Sequence, residues 1–391
     1  MSDLSEKFTR RCFLENTGRL CLQVGLSAII LGCSQPQPAA TPSPEPSPAP
    51  SPEPSPAPTP SPAPSQDGTK AGTAEAGRAD PDFLPAYVRL QRTGELGRLA
   101  EELWAVMESC QLCPRRCGVN RIKKTSGFCR TPGATLVLSG AHAHFGEERP
   151  LVGEGGSGTI FLTHCNLRCV FCQNWTISHL VRGAEATIDA FADMMLWLQG
   201  EGCHNINVVT PTHYSPHILK ALDVAAGRGL RIPIVYNTSG WERLEILAYL
   251  DGVVDIYLPD FKYWDSAMSA KYSAGAESYP EVTRAAILEM NRQVGVAKPN
   301  RKGVMERGLI IRHLVMPNDV AGSEKVMEWI AANLPKDTYV NIMAQYTPLH
   351  KAYDYPEISR RITSEEYRSV VQKARALGLT NLDIQGYWIV Q

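Results

Sequence analysis

Residues 159–172 read TIFLTHCNLRCVFC, an apolar run that leads directly into three closely spaced cysteines. The run at 159–163 is rich in residue types that favour strands. The loop after it supplies three thiols in a Cys-x3-Cys-x2-Cys pattern, namely Cys165, Cys169 and Cys172. Thiols this close in sequence suit one shared metal centre better than disulfides, which usually join distant segments. The stretch therefore predicts a strand that ends at a metal-binding loop.

Beyond this strand, short apolar runs alternate with amphipathic helical stretches. Further strands are expected at 206–210, 232–236, 254–259, 309–315, 339–343 and 382–385, with helices such as 188–198, 216–226 and 364–376 between them. Before the loop, the pattern predicts helix at 81–109 and a hairpin around 135–145. The alternation indicates an α/β fold with a parallel sheet, an open or partial (β/α) barrel, whose chemistry should lie at the carboxyl ends of the strands.

A second cysteine group precedes the predicted barrel. It comprises Cys110, Cys113, Cys117 and Cys129, four thiols in 20 residues, interspersed with glycine and proline that permit tight turns. A closed four-thiolate set is typical of structural zinc, a second iron–sulfur cluster is equally compatible with soft ligands, and two disulfides are a third option in an exported protein. We expect the four side chains to act together as one N-terminal module.

The N-terminal end resembles an export signal. Residues 9–14 read TRRCFL, which looks like a twin-arginine signal, and the apolar stretch that follows ends at Gly32-Cys33, which resembles a lipoprotein cleavage site. Residues 35–65 repeat proline with serine, alanine and glutamate, a composition that favours an extended spacer and equally fits a disordered tail. We expect a signal at 1–33, a linker at 34–80, a helix with the four-cysteine module at 81–150, and the barrel domain at 151–391.

The overall charge argues against some classes of partner. The 391-residue chain has 39 basic and 40 acidic residues, a net charge of −1, so no global field attracts nucleic acid or an anionic membrane. Contact with a membrane is expected only through a lipid on Cys33. The expected location is the outer side of a bacterial membrane, with the cytoplasm as the alternative.

The three-cysteine loop, including Phe171 before its last cysteine, matches the signature of the radical S-adenosylmethionine (SAM) superfamily. The following Gln173-Asn174-Trp175 resembles the pyruvate formate-lyase activating-enzyme branch, and most of all its uncharacterised PflX-type members. The resemblance implies a [4Fe–4S] cluster on three cysteines, with one iron open to SAM. It also implies a low-potential electron donor and reductive cleavage of SAM to a radical that abstracts hydrogen from a small molecule or a protein, such as a glycyl radical enzyme.

The resemblance also implies roles for residues at the other strand ends. Asp260-Phe261-Lys262 resembles the family's Asp-x-Lys, so Lys262 would pair with the SAM carboxylate and Asp260 would face a ribose, a cation or Lys262. Asn237 belongs to a turn similar to the Thr-Asn-Gly turn of activating enzymes, although a plain turn is also compatible. The family's Gly-Gly-Glu is absent, which leaves the SAM amino group to the backbone or hydroxyls near Thr210.

Other residues and interpretations remain open. His213, Thr212, Arg312 and Gln345-Tyr346 are further candidates to face the site. A zinc site with His164 as fourth ligand is the alternative for the three-cysteine loop. The alternative for the whole protein is an exported, lipid-anchored iron–sulfur electron carrier or binding protein that does not cleave SAM.

Overall fold

A computed structural model describes residues 83–385 of the protein. The signal-like segment 1–33, the linker 34–80 and residues 386–391 lie outside this range. Two helices begin the described part, α1 (Ala86–Arg92) and α2 (Glu95–Ala105). Leu96, Ala100 and Leu103 recur at helical spacing in α2 and are buried, so the predicted helical segment is confirmed. No helix within residues 83–385 is long and apolar enough to cross a membrane.

The centre of the fold is one ten-stranded sheet. Seven strands are parallel and follow one another in the order β2 (Ser157–Leu162), β4 (Ile206–Val209), β5 (Ile234–Thr238), β6 (Ile256–Pro259), β8 (Met305–Leu314), β9 (Tyr339–Met343) and β10 (Leu382–Ile384). Beside β2 lies the antiparallel strand β1 (Leu136–His144), which pairs on its other side with the antiparallel strand β3 (Ala184–Ala186). Strand β7 (Lys298–Pro299) pairs with β8. The parallel strands confirm the predicted α/β class.

Helices connect these strands. They are α3 (Arg149–Val152), α4 (Trp175–Ser178), α5 (Ile188–Gly200), α6 (Ser215–Gly227), α7 (Leu244–Leu247), α8 (Ser266–Tyr272), α9 (Tyr279–Val294), α10 (Ser323–Asn333) and α11 (Ser364–Ala376). On β5, Ile234 and Tyr236 belong to a large apolar cluster with the helices, whereas Val235 joins a smaller cluster with Ile256 and Ile310. This alternation places one face of the sheet against helices and the other towards the interior.

The interior face is concave. Phe161 on β2 and Met343 on β9 line the same cavity although four strands lie between β2 and β9 in the sheet. Glu148, just before α3, accepts a hydrogen bond from Asn341 on β9 at 2.9 Å. Only a curved sheet brings its two ends this close. Within residues 83–385 no ladder joins β10 to β3, so the sheet is an open, partly closed barrel.

The predicted hairpin around 135–145 is wrong. This segment is the single strand β1, which pairs with β2 on one side and β3 on the other. Its register to β2 shifts between Leu138 and Gly140. An irregularity of this kind bends a strand without reversing it, so the segment continues as one strand.

Candidate active site

The three-cysteine loop turns sharply after β2. His164 and Arg168 have left-handed backbones, with φ of 67° and 54°, and each immediately precedes a cysteine. This conformation is uncommon for residues other than glycine and persists where the surroundings enforce it. Here the His164 N–H donates to the Ile177 carbonyl at 3.0 Å and the Val170 N–H donates to the Tyr272 carbonyl at 2.9 Å. The loop is therefore fixed at both ends of its turn.

The three thiols line one cavity, and each has a polar neighbour. Cys165, Cys169 and Cys172 all face a space of about 430 Å³. The Leu167 N–H donates to Cys165 Sγ at 3.3 Å, and the Ser273 hydroxyl donates to Cys169 Sγ at 3.1 Å. Cys172 Sγ lies 3.2 Å from the Ser178 hydroxyl. Donors to sulfur are among the features that tune thiolate-bound iron–sulfur clusters.

Burial disfavours free thiolates in this loop. Desolvation raises the pKa of Cys169 to about 12, and the nearby Lys262 cation offsets only part of that effect. A bound metal deprotonates its thiol ligands outright, so such a buried set is suited to a cluster. Within residues 83–385 no three His, Cys, Asp or Glu side chains are arranged to hold a metal ion as they stand. An iron–sulfur cubane is larger than one ion and spreads its ligands farther apart.

Aromatic packing supports the loop from behind. Phe171 is buried and meets the rings of Tyr263 and Tyr346 edge-on, with centroids 6.3 and 5.9 Å away. Tyr346 donates its hydroxyl hydrogen bond to the Ile358 carbonyl at 2.7 Å and does not line the cavity, whereas Gln345 does. Of the predicted Gln345-Tyr346 pair, only the glutamine therefore faces the site.

An ionic network lines the same cavity as the thiols. Asp260 follows β6 directly and accepts from Lys262 Nζ at 2.7 Å and from Arg312 Nε at 2.9 Å. Arg312, on β8, also donates to Asn237 Oδ1 on β5 at 2.5 Å. Burial alone would raise the pKa of the Asp260 carboxyl, but the Arg312 and Lys262 cations outweigh it and hold the pKa below its ordinary value.

The structure thus brings the predicted residues together. Lys262, Asp260, Asn237 and Thr210 line the same cavity as the three cysteines. Burial opposes the charge on Lys262, yet Asp260 and the neighbouring Cys169 sulfur raise its pKa. A cation held near the thiols by a paired carboxylate is positioned to bind an anionic ligand group.

Three other candidates do not line the cavity. His213 is buried and its Nε2 lies 2.8 Å from the Thr163 carbonyl. Thr212 donates to Glu242. The His164 ring lies 2.8 Å from the Thr163 hydroxyl, so it supports the loop and is not placed as a fourth ligand. Thr210, with φ of 60°, is the residue of this strand end that faces the cavity.

Several cavity residues were not predicted. Glu147, Glu148, Ser239 and Asn341 all line it. The loop that carries Glu147 and Glu148 follows an antiparallel strand. The expectation that functional residues lie at the carboxyl ends of parallel strands therefore did not indicate them. The sequence did contain a signal for Asn341, because it is the only polar side chain inside the otherwise apolar YVNIM strand. A buried polar residue in such a run is informative.

The four-cysteine module packs around its own thiols. Cys110, Cys113 and Cys129 are buried and Cys117 is half-buried. Burial is the main cause that raises the pKa of Cys113 to about 12, and the nearby thiols of Cys129, Cys110 and Cys117 contribute to the same shift. A Cβ on Gly127 would lie 2.7 Å from Cys117 Sγ. All four are free thiols, so the disulfide option is wrong for this structure.

Arg115 joins this module to the three-cysteine loop. Its Nε donates to the Asn166 carbonyl at 3.0 Å, inside the loop, and its Nη2 donates to the Ser273 carbonyl at 3.1 Å. Ser273 is also the donor to Cys169. The guanidinium stacks 3.8 Å from the centre of the Phe128 ring. Arg115 of the module therefore contacts both the three-cysteine loop and the residue that donates to Cys169.

Glu242 ties together two loops at the same edge of the sheet. Its Oε1 accepts hydrogen bonds from Thr212, after β4, and from Thr238, at the end of β5. Its Oε2 is buried and has no hydrogen-bond partner among the described residues. Burial raises the pKa of Glu242 to about 7, although the two hydroxyls oppose that shift. The carboxyl is thus a fixed link behind the cavity.

Comparison with known proteins identifies a family. No family model matches the chain. It is 33% identical over 285 residues to the uncharacterized protein MJ0674 of Methanocaldococcus jannaschii, an alignment that covers 70% of this chain and 76% of that protein. The chain belongs to the same family as this archaeal protein.

Two solved structures are distant matches. A radical SAM methyltransferase from Sphaerobacter thermophilus matches with a TM-score of 0.39 and 15% identity, over 57% of this chain and 65% of that one. Methylornithine synthase (PylB) matches with a TM-score of 0.34 and 13% identity, over 77% and 82% of the two chains. At such low scores, the assignment of a function rests on the site itself.

The raised pKa of Glu242 predicts how stability depends on pH. The folded protein keeps this proton up to about pH 7, whereas an unfolded glutamate loses it near pH 4.3. The contribution of Glu242 to stability is therefore fully present below about pH 4 and is lost as the pH rises to about 7. Glu242→Gln keeps an acceptor and cannot ionise, so at pH 8 it should raise the free energy of unfolding by up to about 3 kcal/mol.

Urea denaturation of both proteins between pH 4 and pH 8 measures this difference. The exposed Glu277→Gln serves as a control for the loss of a surface carboxylate. A constant offset between Glu242→Gln and the natural protein across this range would show that Glu242 does not titrate as described.

Proposed function

We propose that this protein is a radical SAM enzyme. The observation that carries the proposal is one cavity of about 430 Å³ that contains all three thiols of the Cys-x3-Cys-x2-Cys loop together with the Asp260–Lys262 pair. Three thiolates leave one iron of a [4Fe–4S] cluster without a protein ligand. The three sulfurs, each with a polar neighbour, fit such a cluster, and the cavity beside them fits its co-substrate.

The cluster would supply one kind of chemistry. When bound and reduced by a low-potential donor, it would supply one electron for the cleavage of SAM to methionine and a 5′-deoxyadenosyl radical, which would take a hydrogen atom from the substrate and become 5′-deoxyadenosine. The protein would do the rest. Phe171 and the loop behind it exclude solvent from the thiols, and the cavity residues orient what binds there.

Lys262 is the residue we assign to the SAM carboxylate. Its positive charge lies close enough to Cys169 to lower the pKa of that thiol. Asp260 fixes its position, with Lys262 Nζ 2.7 Å from the Asp260 carboxylate. Asp260 would then act as a positioning residue, and Asn237, held by Arg312, would offer its amide to the ribose or methionine part of SAM. Thr210 would contribute to recognition of the amino group from the neighbouring strand end.

The four-cysteine module is proposed to bind zinc or a second iron–sulfur cluster through Cys110, Cys113, Cys117 and Cys129. Its four clustered thiols, three of them buried and one half-buried, support a shared ligand. Its contact with the barrel site through Arg115 suits either a structural brace or an electron relay. Elemental analysis for zinc and iron in the purified protein separates the two.

An iron–sulfur electron carrier without SAM cleavage is the second candidate, favoured by the export-like leader. A carrier has no need of a lined cavity with an ordered Lys262–Asp260–Arg312 network beside its cluster, and this favours the enzyme. The hydrogen donor is proposed to be a small molecule or a protein, with activation of a glycyl radical enzyme as the activity closest by resemblance. No nucleic acid is expected among the partners.

Replacement of Cys169 tests the cluster assignment. Cys169→Ala removes one ligand from a site with no spare thiolate, so the iron and the optical and EPR signals of this site should be lost. Iron per protein and EPR spectra measure the effect, with the four-cysteine module as the only remaining iron site.

Cys203→Ala is the matched control, because Cys203 is a buried free thiol in neither cysteine group. It should keep the full iron content. Equal iron and equal spectra in Cys169→Ala and Cys203→Ala would refute the assignment.

Replacement of Lys262 tests SAM binding. Lys262→Ala removes the proposed partner of the SAM carboxylate, and SAM affinity should fall by about 1–3 kcal/mol, the range for charge-assisted hydrogen bonds. Cluster assembly should continue, because Lys262 is not a cluster ligand. Equilibrium binding of SAM measures the change, with the exposed Lys325→Ala as control. Unchanged affinity in Lys262→Ala would remove this residue from the SAM site.

Export as a lipoprotein is proposed from the N-terminal sequence. Arg10-Arg11 would direct twin-arginine export, and acylation of Cys33 would anchor the protein on the outer side of the membrane, since two or three acyl chains suffice for stable anchoring. Fractionation of cells that express the full-length chain should show membrane association that Arg10→Lys/Arg11→Lys abolishes. Full-length protein found only in the soluble cytoplasm would contradict it and favour the cytoplasmic alternative.

A further inference from the structure

One part of the cavity lining is acidic. Glu147 and Glu148 enter it from the loop between β1 and α3, and Asn341 reaches it from β9. Glu148 is 5% exposed and Asn341 is 1% exposed. Asn341 Nδ2 donates to Glu148 Oε1 at 2.9 Å, which fixes the two side chains against each other. We call Glu147, Glu148 and Asn341 the cavity floor.

Two buried acceptors on this floor have no donor. Glu148 Oε2 and Asn341 Oδ1 are inaccessible and make no hydrogen bond within the described part of the chain. Buried polar atoms are nearly always partnered, so a donor absent from the protein itself is expected at this point. Both side chains line the cavity, so a molecule bound there lies beside them.

The balance of charge indicates what kind of donor is missing. Three carboxylates line the cavity (Glu147, Glu148 and Asp260), against the two cations Lys262 and Arg312. Asp260 pairs with both cations, and Arg312 also approaches Glu147 at 3.6 Å. Glu148 makes no ion pair within residues 83–385. Burial raises its pKa to about 7, and the nearby Arg312 cation opposes only part of that shift.

The cavity floor is separated from the proposed SAM site by Arg312. The Nε and Nη2 atoms of this guanidinium contact Asp260 and Asn237, and its Nη1 atom faces Glu147. Lys262 and the thiols lie on the Asp260 side. The missing donor therefore belongs to a second ligand group rather than to the part of SAM that Lys262 would bind.

We propose that the cavity floor binds the hydrogen-donor substrate, a small molecule, through a primary ammonium group. An ammonium carries three donors and a positive charge, so it suits a floor with two unpartnered acceptors and balances the surplus carboxylate. A cavity of about 430 Å³ is near the lower end of the range for one drug-sized ligand. This inference rests on the proposed radical SAM function.

Calorimetric titration of small amines tests the site directly. The probes are ethanolamine and 1,4-diaminobutane, each beside its neutral counterpart, ethylene glycol and 1,4-butanediol. They are added anaerobically to the full-length, cluster-loaded protein with SAM and without reductant. At least one amine should bind about tenfold or more tightly than its diol, and Glu148→Gln should weaken that binding by about tenfold or more. The exposed Glu154→Gln should not.

A second variant keeps the test decisive if Glu148→Gln does not fold. Asn341→Asp keeps the size of the side chain and adds a carboxylate beside Glu148, so it should increase the preference for amine over diol. Amines that bind no better than diols, or a preference unchanged in Glu148→Gln and Asn341→Asp, would overturn the inference.

The two proposals fail in different ways. Amine binding needs no electron, whereas SAM cleavage does. Cleavage of SAM without any amine preference would contradict the cavity floor alone, whereas amine binding without SAM cleavage would leave the amine-binding site in place and contradict the radical SAM function.

Discussion

The carboxylate of Asp260 accepts hydrogen bonds from two buried cations, and the arrangement of the cavity depends on that pairing. It links Lys262, from its own strand end, to Arg312 on β8, and through Arg312 to Asn237 on β5. Removing Asp260 would leave Lys262 without its carboxylate and Arg312 with only the longer contact to Glu147 at 3.6 Å, which is unfavourable in a poorly solvated space. Asp260 therefore fixes the position of Lys262, the cation near the thiols. It also holds Arg312 in place between the thiols and the cavity floor.

The two cysteine groups are physically coupled. Arg115 lies in the four-cysteine module, and its hydrogen bonds go to the Asn166 carbonyl in the loop and to Ser273, the donor to Cys169. Whatever metal the module holds would fix the position of Arg115 and, through it, the surroundings of the barrel thiols. A module of this kind affects the neighbouring site even if it carries no electrons.

Much of the site was predictable because parallel strands end at one edge. The α/β pattern placed the cysteine loop, Asn237, Asp260 and Lys262 at successive strand ends, and the structure brings them into one cavity. The features that the sequence did not predict depend on contacts between distant segments. Glu148 follows an antiparallel strand and reaches the cavity only because the sheet curves, and His213 turns away because a buried carbonyl accepts its hydrogen bond. No local spacing encodes either contact.

The most direct test of the central claim is whether the purified, cluster-loaded protein cleaves SAM when it is reduced. Anaerobic incubation with dithionite and SAM, followed by chromatography, should give 5′-deoxyadenosine and methionine in equal amounts, and Cys169→Ala should give neither. If the natural protein keeps an intact, reducible barrel cluster and forms no 5′-deoxyadenosine, the radical SAM account is contradicted and an electron carrier is the better description.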